Sequence, residues 1–229
     1  MQEKEIIVIS LGGAMVVPDM PNPEFILAFK NIILNWVEKG KKFVIIVGGG
    51  KTCRRYNEAL KKVIDPSDDD LDWMGIYSTR LNAQLVRLSF NGKASSEVIT
   101  DPMLINSFND NIIIGGGYKP GFSTDMGAVL IADQLKAKKV INISNVDYVY
   151  DSDPKLNPNA VKFENITWDK YRTYITSEWK PGLSTPFDPI ASKKAEEEGI
   201  EVAFISGKDL LSLENYLEGK PFIGTTIKN

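Results

Sequence analysis

Three short glycine runs stand where an apolar segment gives way to a polar one: Leu11-Gly12-Gly13, Gly48-Gly49-Gly50 and Gly115-Gly116-Gly117. A fourth, Gly224-Thr225-Thr226, follows much later. Glycine lets the backbone approach a ligand closely and tolerates positive φ. A helix N-terminus behind such a turn directs free N–H groups at an anion. One turn of this kind is common in α/β proteins. Three within 229 residues point to a crevice that holds several phosphates.

The best-known phosphate motifs do not fit. Gly50-Lys51-Thr52 invites a P-loop reading, but that motif needs a glycine five residues before Gly50, where Ile45 stands. A dinucleotide fingerprint begun at Gly48 would need glycine at Cys53, and one begun at Gly115 would need it at Pro120. The chain has 0 histidines, which removes histidine-based triads and acid–base mechanisms and the usual zinc sites.

The elements that must position these turns alternate in type. Residues 5–11, 42–47, 111–114, 139–144 and 201–205 read as buried strands, with a weaker strand at 97–100. Asn22-Pro23-Glu24 starts a helix in which Phe25, Phe29, Ile32, Ile33, Trp36 and Val37 keep helical spacing, and Gly40 ends it. Tyr56, Ala59, Leu60, Val63 and Ile64 mark one face of a second helix. The acids between 65 and 70 read as a solvated loop, and a third helix is predicted over 73–90. Further helices are expected at 125–136, 189–198 and 208–217, while 151–186 is polar and proline-punctuated. Interleaved strands and helices predict an α/β fold: a mainly parallel central sheet with helices on both faces, a three-layer sandwich. Ligands of such sheets gather at the carboxyl ends of the strands, where the glycine turns lie.

Composition bounds the rest. Lys and Arg number 27 against 30 Asp and Glu, a net charge of −3 without a basic run, which argues against nucleic acid as a partner. The single cysteine, Cys53, fits a reducing compartment. The charged start Gln2-Glu3-Lys4-Glu5 carries no secretory signal, and no apolar run approaches the ~20 residues needed to cross a bilayer. A soluble, cytoplasmic protein without membrane contact is expected.

The ordered motifs resemble the amino acid kinase superfamily, and within it the uridylate (UMP) kinases of the archaeal type. The resemblance rests on the stretch from Gly12-Gly13-Ala14 to Pro18, on Val47-Gly48-Gly49-Gly50 through Arg54-Arg55-Tyr56, and on Gly75 through Thr79-Arg80-Leu81-Asn82-Ala83. It continues with Gly116-Gly117 through Thr124-Asp125, with Ser144-Asn145-Val146-Asp147-Tyr148-Val149-Tyr150, with Asp188-Pro189-Ile190-Ala191, and with Gly224-Thr225-Thr226-Ile227. These keep the family's order from residue 12 to 227.

The resemblance implies one domain over residues 1–229, with an acceptor (UMP) lobe at about 1–136 and an ATP lobe at about 137–229. It implies that Gly49, Gly50 and Arg54 hold the UMP phosphate, since a guanidinium meets phosphate oxygens in pairs. Asp72, Gly75, Thr79 and Thr124 match positions around the acceptor. Gly12 and Gly13 would line the path of the phosphoryl group, and Asn145, Asp147, Tyr150 and Asp153 would cradle the ATP nucleoside. Asp125 and Asp188 match acidic positions that orient cations, with Mg2+ carried in on the nucleotide rather than held in a protein cage. The implied reaction is transfer of the ATP γ-phosphoryl group to UMP, giving UDP and ADP, by a homo-oligomer that the resemblance makes a hexamer. The apolar 25–37 face is compatible with an interface and equally with core packing.

Three positions depart from the pattern. Ser10 stands where many members carry a lysine, Ala14 where a small hydroxyl residue is usual, and Tyr148 where relatives have glycine. Lys51 is the nearest substitute for the missing lysine. If the glycine at 148 requires positive φ, tyrosine there alters or strains the loop. Two alternatives therefore stand beside the UMP kinase: a non-catalytic nucleotide-binding or molybdenum-storage-like protein of the same fold, and a kinase of another small acid.

Overall fold

The computed structural model describes residues 5–105, 110–175 and 185–229. Strand β1 (Ile6–Leu11) leads through Gly12 into a single helical turn, α1 (Gly13–Val16). Helix α2 (Pro23–Glu38) begins as its sequence dictates, with Pro23 in the first turn and the Asn22 side chain accepting a hydrogen bond from Phe25 N at 3.1 Å. Strand β2 (Lys42–Val47) runs into α3 (Gly50–Val63), and α4 (Asp68–Ser89) follows. Then come β3 (Ile112–Gly115), α5 (Thr124–Gln134) and β4 (Lys139–Ser144). The short strands β5 (Val149–Tyr150), β6 (Lys162–Phe163) and β7 (Asn165–Ile166) lead to α6 (Trp168–Arg172). The chain closes with α7 (Pro189–Glu197), β8 (Glu201–Ser206), α8 (Leu211–Leu217) and β9 (Gly224–Ile227).

Seven strands form one sheet in the order β3-β2-β1-β4-β8-β9-β7. The first five of these run parallel, β9 is antiparallel to β8, and β5 pairs with β6 in a separate ribbon. Alternation along the buried strands divides the core into two clusters. Ile7, Ile9 and Leu11 of β1 join Phe43, Ile45 and Val47 of β2 against α2, α4 and α8, through Phe29, Ile33, Val86 and Leu213. Val8, Val44, Ile46, Val202 and Phe204 face the other way, onto α5, α6 and α7. The expected three-layer α/β sandwich is therefore observed. The chain travels outward from β1 to β2 and β3, then returns to place β4 on the other flank of β1. That reversal opens a crevice at the carboxyl ends of β1 and β4.

Two expectations are corrected, and the surroundings of two apolar helix faces become visible. The acids at 68–70 are the first turn of α4, because Ser67 and Asp70 form a reciprocal capping box and the carboxylates meet the helix dipole there. Residues 97–100 supply only one isolated bridge, Ile99 to Gly115, not a strand. Of the two readings open for the apolar 25–37 face, core packing holds for Phe25, Phe29, Ile33 and Trp36, while Ile32 and Val37 stay half-buried. The apolar face expected on the second helix is present on α3 and points outward, with Tyr56 57 % and Val63 79 % exposed. The part of the polar 151–186 segment that falls at 176–184 lies outside the described residues.

Phe29 is 1 % exposed at the centre of the α2–sheet contact. Phe29→Ala should cost about 3–5 kcal/mol by urea denaturation, whereas Tyr56→Ala, on the exposed face, should stay within about 0.5 kcal/mol.

Candidate active site

The first two glycine turns touch each other, backbone on backbone. A Cβ on Gly13 would stand 2.2 Å from Gly50 N and 2.5 Å from the Gly48 carbonyl oxygen. Gly50 has φ +59, and its own Cβ would meet Gly13 O at 2.3 Å. No other residue fits either position. Hydrogen bonds seal the contact: Gly12 N donates to Ile143 O at 2.8 Å, Gly48 N to Leu11 O at 2.9 Å and Lys51 N to Val17 O at 3.0 Å. The ends of β1, β2 and β4 thus share one floor.

Helix α4 supports this floor from the side. Buried Asn82 donates from Nδ2 to Gly48 O at 2.9 Å and to Gly49 O at 3.0 Å. Thr79 Oγ1 accepts from Gly117 N at 2.6 Å and donates to Ile76 O, so its hydroxyl serves the third glycine turn. Arg80 donates to Gly117 O at 3.0 Å and Tyr118 O at 2.9 Å, and Asp72 Oδ2 accepts from Gly121 N at 2.8 Å. Gly75 gives Cys53 room, since a Cβ there would be 3.4 Å from Sγ. Burial pushes the Cys53 thiol up, opposed by the nearby Arg54 charge and reinforced by Asp72. Burial likewise raises the Asp72 carboxyl, while the Gly121 N–H opposes the rise. Arg54 is exposed on the first turns of α3, with Lys51 half-buried before it.

Behind the floor lies a polar knot around Asp125, at the start of α5. Ser10 Oγ donates to Asp125 Oδ1 at 2.7 Å, Asn142 Nδ2 donates to the same oxygen at 2.8 Å, and Asp188 N donates to Oδ2 at 3.0 Å. Part of the residue reaches solvent, but the carboxyl group itself is densely packed. Burial pushes it up to about 6; the Ser10 hydrogen bond opposes this and the Asp188 charge adds to it. Asp188 caps α7 by accepting from Ala191 N at 2.6 Å, and burial raises its carboxyl too. Among the described residues the hydrogen-bond donors to these two acids are neutral, and the Asp188 charge acts on Asp125. Thr124 opens α5 beside the third glycine turn, where Ser123 supplies the cap.

The carboxyl ends of β4 and β8 carry a second set of candidates. Asn145 and Asp147 follow β4, and Asp147 Oδ1 accepts from Ser206 Oγ at 2.8 Å and Lys208 Nζ at 3.2 Å, which hold its carboxyl below the usual range. Tyr150 lies edge-on to Tyr148, ring centroids 6.3 Å apart. Asp153 folds back on its own turn, accepting from Lys155 N at 2.9 Å. Tyr148 is not among the described non-glycine residues with positive φ, so the loop accepts tyrosine without that strain. Gly224-Thr225-Thr226 forms strand β9 rather than a turn, and Thr225 Oγ1 accepts from Val149 N. A broader cavity of about 1100 Å³ lies at the amino ends of the strands, bordered by Lys41, Lys136 and Lys139 and far from every glycine turn.

Residues 5–206 match the model of the amino acid kinase family. The chain belongs to that family. It is 36% identical to a uridylate kinase of Pyrococcus abyssi, covering 97% of this chain and 99% of the relative. It is 35% identical to that of Thermococcus onnurineus, covering 93% and 96%. The solved uridylate kinase of Archaeoglobus fulgidus superposes with a TM-score of 0.79 at 31% identity, covering 96% of this chain and 99% of that one. An aspartate kinase from Synechocystis shares the fold at a TM-score of 0.72 and 18% identity. Among the described residues no helix is long and apolar enough to cross a membrane.

Sequence reasoning missed Asn82 and Arg80, which hold the glycine turns, and Lys208, which pairs with Asp147. A signal for Asn82 was present: Asp72, Gly75, Thr79 and Asn82 recur at spacings of three and four, one face of a helix. Lys208 carried no signal, because its partner Asp147 is distant in sequence.

The raised Asp125 carboxyl has a consequence for stability. The folded state holds this proton up to about pH 6 while the unfolded chain releases it near 3.8, so stability from this group falls as pH rises between those values. Asp125→Asn should therefore gain stability over the parent between about pH 4 and about pH 7, by on the order of 2 kcal/mol. Urea midpoints at the two pH values check this; an equal difference at both would place the carboxyl outside the knot.

Proposed function

We propose that this chain is an ATP-dependent phosphotransferase that converts UMP to UDP with release of ADP. An oxygen of the UMP phosphate attacks the γ-phosphorus in line, and the bond from that phosphorus to the β–γ bridging oxygen breaks. Uridylate kinases matching nearly the whole chain support the reading. The observation that carries it is the contact of the Gly13 and Gly50 turns beside the end of β4, which puts two amide-bearing loops where two phosphate chains could meet.

In this reading residues of about 1–136 form the acceptor lobe. Gly49 and Gly50 offer amides to the UMP phosphate and Arg54, free to turn at the surface, adds a guanidinium. Asp72, Gly75, Thr79 and Thr124 shape the surrounding wall. Residues of about 137–229 form the ATP lobe, with Asn145, Asp147, Tyr150 and Asp153 around the nucleoside and Lys208 beside Asp147. Gly12 and Gly13 line the path between the lobes. Phosphoryl transfer needs positioning and charge neutralisation above all. Lys51, in the first turn of α3, supplies a cation where Ser10 cannot.

Mg2+ would enter with ATP and neutralise its phosphates. The residues fit that arrangement: among the described residues the hydrogen-bond donors to Asp125 and Asp188 are neutral, and those residues contain no group of three acidic, cysteine or histidine ligands able to cage an ion. A homo-oligomer, a hexamer by family resemblance, is supported by apolar side chains that α3 and α4 leave exposed, among them Val63, Tyr77 and Leu81. The single cysteine accords with a cytoplasmic setting.

Ser10 favours a second reading, a nucleotide-binding protein that turns over slowly or not at all, because Asp125 has only neutral donors where a lysine would stand. A coupled assay of ADP release with UMP, CMP and small carboxylic acids separates the cases. Fast release with UMP is expected; nucleotide binding without turnover would favour the second reading. Arg54→Ala should raise the KM for UMP about ten- to a hundredfold, the loss of one charge-assisted contact, and leave the KM for ATP within about twofold.

A further inference from the structure

We infer that Asn82 is a positioning residue that aims the N–H groups of Gly49 and Gly50 at the acceptor phosphate. The inference rests, for the identity of that phosphate, on the UMP kinase reading above. Its geometric part is independent of it. In a trans peptide the carbonyl and the following N–H point in opposite directions. Asn82 Nδ2 takes Gly48 O and Gly49 O toward α4, at 2.9 and 3.0 Å. The N–H of Gly49 and the N–H of Gly50 belong to those same two peptide planes, so both are turned away from α4, and the described residues offer neither of them an acceptor. One buried side-chain amide, joined at Gly49 O by Cys53 N at 3.3 Å, thereby orients two adjacent donors. Asparagine is suited to this, because its NH2 carries two hydrogens and can serve two carbonyls at once.

The third glycine turn is held by the same helix. Thr79 accepts from Gly117 N, and Arg80, the next residue, donates to Gly117 O and Tyr118 O. Positions 79, 80 and 82 thus set the distance between the Gly48–Gly50 and Gly116–Tyr118 turns. A rigid helix carries the registration, so the donors face an incoming anion already aligned.

The test uses the full-length chain with Asn82→Ala and Asn82→Ser. In Asn82→Ala the KM for UMP should rise about tenfold or more while the KM for ATP changes by less than about twofold. Asn82→Ser, which keeps one donor, should fall between parent and alanine variant. Equal rises in both KM values, or a loss of thermal stability with unchanged KM for UMP, would make Asn82 a packing residue and overturn the inference. If the parent does not turn over UMP, the function reading fails but the inference is still decided by titrating glycine-15N-labelled protein with inorganic phosphate. The Gly49 and Gly50 amide resonances should shift in the parent and not in Asn82→Ala. Resonances that ignore phosphate in the parent would overturn it.

Discussion

The site depends on one contact, the packing of bare backbone at Gly13 against bare backbone at Gly48 and Gly50. A single methyl group at Gly13 would sit within 2.2 Å of Gly50 N, so the approach exists only because no side chain intervenes. Parallel strands in a sheet lie about 4.8 Å apart, and the loops that leave β1 and β2 must keep that spacing to present amides to one crevice. Side chains there would push the loops apart and replace donors with hydrocarbon. The sheet order follows the same logic, since the reversal of strand order at β1 leaves open the edge that β4 then completes.

Around this contact the structure separates rigid from adjustable parts. The floor is rigid: strands buried on both faces, carbonyls secured by Asn82 and a turn secured by Thr79 and Arg80. Arg54 and Lys208 are exposed at its two margins, one on each side of the crevice. Rigid backbone donors cost no reorganisation when charge arrives, whereas long cationic side chains can follow a phosphate as it moves. Both kinds of group are needed if two nucleotides are to enter separately and react together.

Much of this was legible in the residues, for identifiable reasons. Strands buried on both faces announce themselves as unbroken apolar runs, and the capped start of α2 at Asn22-Pro23 was read correctly because caps are local. The start of α4 was misplaced because three consecutive aspartates look like a solvated loop, although Ser67 and Asp70 form a capping box that spacing alone could have disclosed. The 97–100 segment has strand-forming residues, yet only Ile99 reaches the sheet, at its β3 edge. The exposure of Tyr56 and Val63 was not legible: helical periodicity marks an apolar face but not whether that face meets the core or another surface. Contacts such as Ser10 with Asp125, 115 residues apart, lie beyond any local pattern.

Ser10 is the clearest case where the chain's own residues modify a family's plan. A lysine beside Asp125 would hold the carboxyl ionised; a serine hydroxyl gives one hydrogen bond and no charge, so burial wins and the carboxyl is raised to about 6. At neutral pH an ionised Asp125 would place negative charge among donors that, within the described residues, are neutral, with Asp188 adding to it. Such a pocket is most comfortable either protonated or facing a cation delivered from outside.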